Sequence, residues 1–157
     1  MSKVTPFLWF DGQAEEAAAF YVSLVPGSRI THVTRRGGAG PGPGGAAMTV
    51  TFELDGRPFI ALNGGPHFKF NEAVSFSVSC DSQEEVDRYW AALTEGGEEG
   101  RCGWCKDRFG LSWQVTPVAL GQMLSDPDPG RSRRVMEAML AMKKIDIAAL
   151  RKASHGS

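Results

Sequence analysis

The sequence predicts an α+β protein of two βαβββ modules followed by a C-terminal helical extension, and three observations predict it. Two amphipathic stripes carry an aromatic pair in the same places, Phe20-Tyr21 in one and Tyr89-Trp90 in the other, with Tyr89 lying 69 residues after Phe20. Each stripe is preceded by one run of strand-forming residues and followed by three. The composition, 42% hydrophobic and 22% charged over 157 residues, is that of an ordinary globular chain, long enough to bury roughly 68–70% of its unfolded surface.

The first element is a strand over Val4 to Phe10, rich in β-branched and aromatic residues. A helix follows, with Ala17, Phe20, Tyr21 and Leu24 at i, i+3, i+4 and i+7, Glu15 and Glu16 in its first turn, and Pro26-Gly27 as its stop. Ile30 to Arg35, Ala47 to Leu54 and Pro58 to Leu62 read as three more strands. The glycine-rich loop Gly37 to Gly45 and the tight turn Asp55-Gly56 separate them.

The pattern restarts at Ala73, where Val74, Phe76, Val78 and Cys80 alternate with Ser75, Ser77 and Ser79 as in a strand with one apolar side. Ser82, with Glu85 three residues later, is a capping-box signature for a helix striped by Val86, Tyr89, Trp90 and Leu93. Gly96-Gly97 ends it, and strand pieces follow near Glu98 to Cys105, Lys106 to Phe109 and Leu111 to Thr116. The 69-residue offset carries Pro6 onto Ser75. The modules span about residues 3–66 and 72–117.

Residues 118–157 form the helical extension. It contains a short helix at Val118 to Leu124, a loop over Asp126 to Gly130, a helix over Arg131 to Lys144 and a last helix N-capped by Asp146, with Ile145 and Leu150 spaced as a hydrophobic staple. Val135, Met139 and Met142 form the apolar side of the longer helix, the methionines as adaptable filler. Ala153 to Ser157 is expected to fray.

Seventeen Lys and Arg against eighteen Asp and Glu leave a formal charge of -1, so no global basic field collects nucleic acid or an anionic membrane. No run has the length of a signal peptide or a membrane span, which gives a cytosolic expectation. Three cysteines are too few for a disulfide scaffold. Cys102-Gly103-Trp104-Cys105 has the spacing of a redox pair or half a zinc site, but glycine-rich turns rather than a helix start surround it, so structural thiols are the main reading and a thiol redox sensor the rival. Gly37 to Gly45 resembles a phosphate loop only in its glycine content. It lacks the Lys-Ser/Thr end and the following helix, and reads as a flexible loop able to act as a lid. Glu53 is the weak candidate for a general base, with solvation or pairing to an arginine as the alternative. His32, His67 and His155 are scattered, and Arg131, Arg133, Arg134, Lys143 and Lys144 read as a solvated helix face.

Four segments carry a resemblance to a known family. They are Thr5-Pro6-Phe7-Leu8-Trp9-Phe10-Asp11-Gly12, Ala14-Glu15-Glu16-Ala17 with Phe20-Tyr21, Leu62-Asn63-Gly64-Gly65-Pro66, and Cys102 through Pro117, within which Asp107-Arg108-Phe109-Gly110 and Trp113-Gln114 fall. With the doubled βαβββ order, these resemble the PhnB-like branch of the vicinal oxygen chelate superfamily of glyoxalases, extradiol dioxygenases and antibiotic-resistance proteins, a branch often labelled a 3-demethylubiquinone methyltransferase domain. The resemblance implies sheets cupped into half-barrels, a cavity enclosed by paired modules and a homodimer. Metal-using members supply His and Glu from the first and last strand of each module. The matching positions here are Pro6, Asn63, Ser75 and Gln114, none of them His, Asp or Glu, which implies that the metal site is lost and no cofactor is held. A methyltransferase would need an S-adenosylmethionine pocket, and no glycine-rich strand-to-helix turn of the nucleotide-binding kind stands in the sequence.

Strand parity then assigns a polar face to Ser75, Ser77 and Ser79, to Thr49, Thr51 and Glu53, to Ser112, Gln114 and Thr116, and to Ala61 with Asn63. Met48, Val50, Phe52 and Leu54, like Val74, Phe76 and Val78, are assigned to burial beneath the helices. The expected binding cavity is lined by Phe10, Thr51, Asn63, Ser75, Ser77, Trp104 and Gln114, with Leu8 as a further apolar wall. The alternative is an open sheet whose hydroxyls simply face water. The leading functional expectation is metal-independent binding or transformation of a small oxygen-rich metabolite. The rivals are a metal-dependent lyase, isomerase or dioxygenase, and a thiol sensor using Cys102 and Cys105.

Overall fold

The computed structural model describes residues 2–35 and 46–156; the stretch Gly37 to Gly45, expected as a loop and lid, lies outside the described residues. The chain forms two units that meet in sequence between Phe70 and Asn71.

The first unit runs β1 (Phe7–Phe10), α1 (Ala14–Leu24), β2 (Arg29–Arg35), β3 (Ala47–Leu54) and β4 (Arg57–Asn63), the expected βαβββ order. Its sheet is ordered β1-β4-β3-β2, with β1 parallel to β4 and the other pairs antiparallel. The β3–β4 hairpin turns through Asp55 and Gly56, whose φ values of 50° and 81° are those of a two-residue hairpin turn matched to strand twist. Helix α1 is alanine-rich, so it forms readily and lies close to the sheet, burying Ala14, Ala17, Ala18 and Tyr21. Tyr21 lies 6.3 Å, ring to ring, from Phe52, which stacks on Phe59 at 5.6 Å. Strand β1 begins at Phe7 rather than Val4. Pro6 has no N–H to donate, although its carbonyl still accepts from Ile60 N, and Val4 is exposed.

The second unit runs β5 (Ser75–Cys80), α2 (Gln83–Thr94), β6 (Glu98–Glu99), β7 (Trp104–Lys106), β8 (Ser112–Pro117), α3 (Val118–Leu124), α4 (Pro129–Leu140) and α5 (Ile147–Ser154). Its sheet, β5-β8-β7-β6, repeats the topology of the first. Ser82 caps α2 by accepting from Glu85 N at 3.2 Å, and Glu85 reaches back to accept from Asp81 N at 3.1 Å. Val86, Tyr89, Trp90 and Leu93 are all buried, as their spacing predicts.

The expected strands at Glu98 to Cys105 and Lys106 to Phe109 are corrected to two short strands, β6 and β7, joined by a turn, with a second turn over 107–110. Asp107 Oδ1 accepts from Phe109 N at 2.9 Å and from Leu111 N at 3.1 Å, which closes that second turn where a strand was expected.

In the helical segment, α4 starts at Pro129, inside the stretch read as a loop, because Asp128 is its N-cap and proline suits a first helical position. It stops at Leu140, short of Lys144. Asp146 caps α5 by accepting from Ala149 N at 3.0 Å. Ile145 and Leu150 are fully buried with Val135, and Met123, Met139 and Met142 pack around them. Ala153 and Ser154, expected to fray, are held in place: Arg134 donates to Ala153 O and Ser154 O at 3.1 and 2.9 Å, and Ser157 lies outside the described residues. The segment is tied to α2, where Gln83 accepts from Ile147 N at 2.8 Å and donates to Ile145 O at 3.0 Å, and Lys144 pairs with Asp87 at 2.9 Å. Among the described residues no helix is long and apolar enough to cross a membrane.

Candidate functional site

Residues paired across adjacent strands project to the same side of a sheet. In the first unit Phe10 pairs with Asn63 and Leu8 with Ala61, and Ala61 pairs in turn with Val50. Val50, Phe52 and Leu54 are buried on the side that α1 covers, so Leu8, Phe10, Ala61 and Asn63 are on the helix side too. Thr49, Thr51 and Glu53 lie on the other side, with Leu62, Ile60 and Pro58 on β4, and with Trp9 and Phe7 on β1. The expectation that Phe10 and Asn63 share a face with Thr51 is therefore corrected. Asn63 is 8% exposed and its amide is committed within the unit. Its Oδ1 accepts from Ala14 N and its Nδ2 donates to Ala47 O, each at 2.9 Å. The Gln13 side chain gives α1 no capping bond, so the sheet supplies one to this helix terminus.

Asn63 follows from the β3–β4 register, which pairs Thr51 with Ile60 and Thr49 with Leu62, and for β1 the physical reason is one residue of linker. The helix N-caps Gln13 and Ser82 are 69 residues apart, but the last helix-side residues of the preceding strands, Phe10 and Cys80, are 70 apart. A one-residue slip turns every side chain of a strand to the opposite face. By the same alternation Pro6 is on the helix side with Leu8 and Phe10, whereas Ser75 is not, so those two positions are not equivalent.

In the second unit the polar alternation holds. Ser75, Ser77 and Ser79 pair with Ser112, Gln114 and Thr116, and Trp104 and Lys106 join them on β7 opposite Gln114 and Ser112. This face is opposite the buried Cys80, Cys105, Trp113 and Val115 that pack toward α2. Gln114 Nε2 donates to Ser75 Oγ at 2.9 Å, and Ser77 and Ser79 are exposed. The same ladder position that holds Ser77 and Gln114 here holds Phe7 and Ile60 in the first unit. There the uncovered face is aromatic: Trp9 meets Phe68 edge-on at 4.9 Å and donates to Gly65 O at 2.9 Å, and its ring fills the space a Cβ at Gly64 would need. Met48 and Val74, expected under the helices, are 40% and 66% exposed. Glu53 is 3.3 Å from Arg29 Nη2, an exposed arginine, so the pair adds little stability.

A cleft of about 110 Å³ opens in the second unit, lined by Glu72, Glu98, Glu99, Trp104, Lys106 and Ser112 among others. Lys106 and Glu72 form a hydrogen-bonded ion pair that holds the Glu72 carboxyl below, and the Lys106 ammonium above, its ordinary range. Ser112 is 1% exposed, and its Oγ has no hydrogen-bond partner among the described residues. The polar alternation reached Ser112. Lys106 and Glu72 were missed because one was assigned to a separate strand and the other precedes the pattern.

The remaining candidates are structural in their surroundings. Burial, reinforced by nearby carboxylates, pushes the Cys80 and Cys105 thiols up to about 12, away from a reactive thiolate. Cys102 sits half-exposed in the β6–β7 turn at φ 58°, its N–H bonded to Met142 O. His32 and His67 are exposed, and His155 closes α5. Among the described residues no three His, Cys, Asp or Glu side chains converge as metal ligands would.

Two sheets of β1-β4-β3-β2 type, each backed by one helix on one side, define an α+β protein of two repeated βαβββ modules. Residues 2–116 match the family model described as 3-demethylubiquinone-9 3-methyltransferase, and the chain belongs to that family. A Bacillus cereus structure described as a putative 3-demethylubiquinone-9 3-methyltransferase, PhnB protein, is 35% identical, with a TM-score of 0.70 over 74% of this chain and 100% of that one. A Pseudomonas aeruginosa structure at 24% identity has a TM-score of 0.61 over 74% and 98%, and an Arabidopsis thaliana gene product at 17% has 0.50 over 72% and 96%. Those two show the fold alone. A search among curated proteins finds no match.

Proposed function

We propose that this protein binds a small oxygen-rich metabolite against the uncovered sheet face of its second module, without a metal ion, as a binding or sequestering protein. The observation that carries this reading is the neutral constellation of Ser75 hydrogen-bonded to Gln114, with Ser77 beside them and the Trp104 ring on the adjoining strand. Hydroxyls and a carboxamide both donate and accept, which suits ligand hydroxyls and carbonyls, and an indole face suits the apolar side of a ring. Thr51 supplies a hydroxyl on the corresponding face of the first module. In this reading Asn63 and Phe10 support the fold and do not touch the ligand. The superfamily resemblance supports a homodimer.

Native mass spectrometry of protein purified without chelators tests the reading. The expected result is a dimer retaining a small organic ligand and no stoichiometric metal, with retention lost in Gln114→Leu and Ser77→Ala. A bound first-row metal whose removal abolishes ligand retention would overturn it in favour of a metal-dependent lyase, isomerase or dioxygenase.

A further inference from the structure

We propose that the cleft beside Trp104 is a subsite for a protonated aliphatic amino group. The inference deepens, and rests on, the reading of the second module's uncovered face as ligand-binding, since Trp104 belongs to both. The first observation is the Ser112 hydroxyl: 1% exposed, lining the cleft, and without a protein partner among the described residues. A buried hydroxyl left unpaired is destabilising, so a group entering the cleft that bonds it is favoured. The second is charge. The cleft sets the carboxylates of Glu72 and Glu98 against one ammonium, Lys106, and that ammonium is already bonded to Glu72 and lies opposite Glu98 in the strand register.

An incoming carboxylate or phosphate would meet a surplus of negative charge and an engaged cation. An ammonium meets the reverse, with Ser112 Oγ as a neutral acceptor, Glu98 as a counter-charge and the Trp104 ring as a cation–π surface. A bare metal ion is a poor fit, because the carboxylates do not converge. The volume of about 110 Å³ is roughly that of three or four waters, which suits an ammonium carried on one or two carbons. The ligand class is therefore an amine that also carries oxygens, such as an amino alcohol or amino sugar, with its amino group in the cleft and its hydroxyls on Ser75, Ser77 and Gln114.

The test is amide chemical-shift titration of the full chain with three isosteric probes at fixed ionic strength: ethanolamine, sodium glycolate and ethylene glycol. Ethanolamine alone is expected to give saturable shifts at Gly100, Trp104, Lys106 and Ser112, weakened about tenfold in Ser112→Ala and in Glu98→Gln. Glu98 is exposed, so its variant keeps the test decisive if the buried serine change perturbs folding. Glycolate saturating the same amides as tightly, ethanolamine leaving them unmoved, or ethanolamine binding equally to both variants would overturn the proposal. A neutral polyol, threitol, separates the two readings. Shifts at Ser75, Ser77 and Gln114 with threitol but none with ethanolamine sink the amine subsite alone, and the converse retains the subsite while removing the oxygen-rich face.

Discussion

Gln114 and Ser75 lie 39 residues apart in the chain, on parallel neighbouring strands, and Gln114 Nε2 donates to Ser75 Oγ at 2.9 Å. The bond aims a carboxamide along the uncovered sheet face instead of leaving it to sample solvent. Ser75→Ala is expected to cost about 1 kcal/mol or less in stability, since water reaches the face and replaces the lost partner. Ligand affinity should fall by a larger factor, because the carboxamide is no longer held. Urea unfolding and ligand titration of the same variant give both quantities, and equal proportional losses would contradict this role.

Asp107 behaves in the opposite way because it is buried. It is 2% exposed and accepts from Phe109 N, Leu111 N and Trp113 Nε1, the last at 2.9 Å. Asp107→Ala strands three donors, two of them buried, and we expect a loss of about 3 kcal/mol, with a changed near-ultraviolet signal from Trp113. A urea midpoint within error of the parent would refute the assignment of Asp107 as the fastener of this turn.

The thiols give an alkaline signature. Cys80 and Cys105 have folded-state values raised from 9.0 to about 12, chiefly by burial, so the folded chain holds these protons more tightly than the unfolded one. The stability they contribute is present in full below about pH 9 and lost as pH climbs from about 9 toward about 12. The Cys80→Ala, Cys105→Ala double variant should show a shallower fall of the urea midpoint over that window. In native protein near about pH 8, a thiol reagent should find only Cys102 accessible.

The α4–α5 link is held to α2 by the Gln83 side chain, which bonds Ile147 N and Ile145 O, and by the Lys144–Asp87 pair. Gln83→Ala removes both amide bonds at a half-buried position. We expect a loss of about 1–3 kcal/mol and faster proteolysis between Leu140 and Asp146. Unchanged cleavage there would mean that Ile145, Ile147 and Leu150 hold the segment by packing alone.

What the sequence made legible was local. The stripe Val86, Tyr89, Trp90, Leu93, the Ser82 and Asp146 caps and the Asp55-Gly56 turn are each set by residues within one or two turns of chain, and each stands as expected. The second module's polar face was legible for the same reason, because alternation along β5 and β8 needs no outside reference. The first module's face was not. The side of Phe10 depended on strand-to-helix linker length, which periodicity in the strand does not report, and Asn63 was misplaced by one step of the β3–β4 register, which pairs Thr51 with Ile60 and Thr49 with Leu62. The Lys106–Glu72 pair and the unpaired Ser112 hydroxyl were hidden because both depend on how the β6–β7 hairpin folds back, and Asp107 ends that hairpin through contacts no pattern announces.

The extra linker residue between Phe10 and Gln13, relative to that between Cys80 and Ser82, carries an evolutionary consequence. In a duplicated strand, an insertion or deletion of a single codon swaps an entire lining at once, trading hydroxyls for rings, while the helix, its cap position and the strand order stay in place. Divergence between the two halves of such a gene can therefore proceed by length as well as by point substitution. Engineering a new selectivity into one half could begin by removing one residue of the Asp11-Gly12 linker rather than by rewriting the strand.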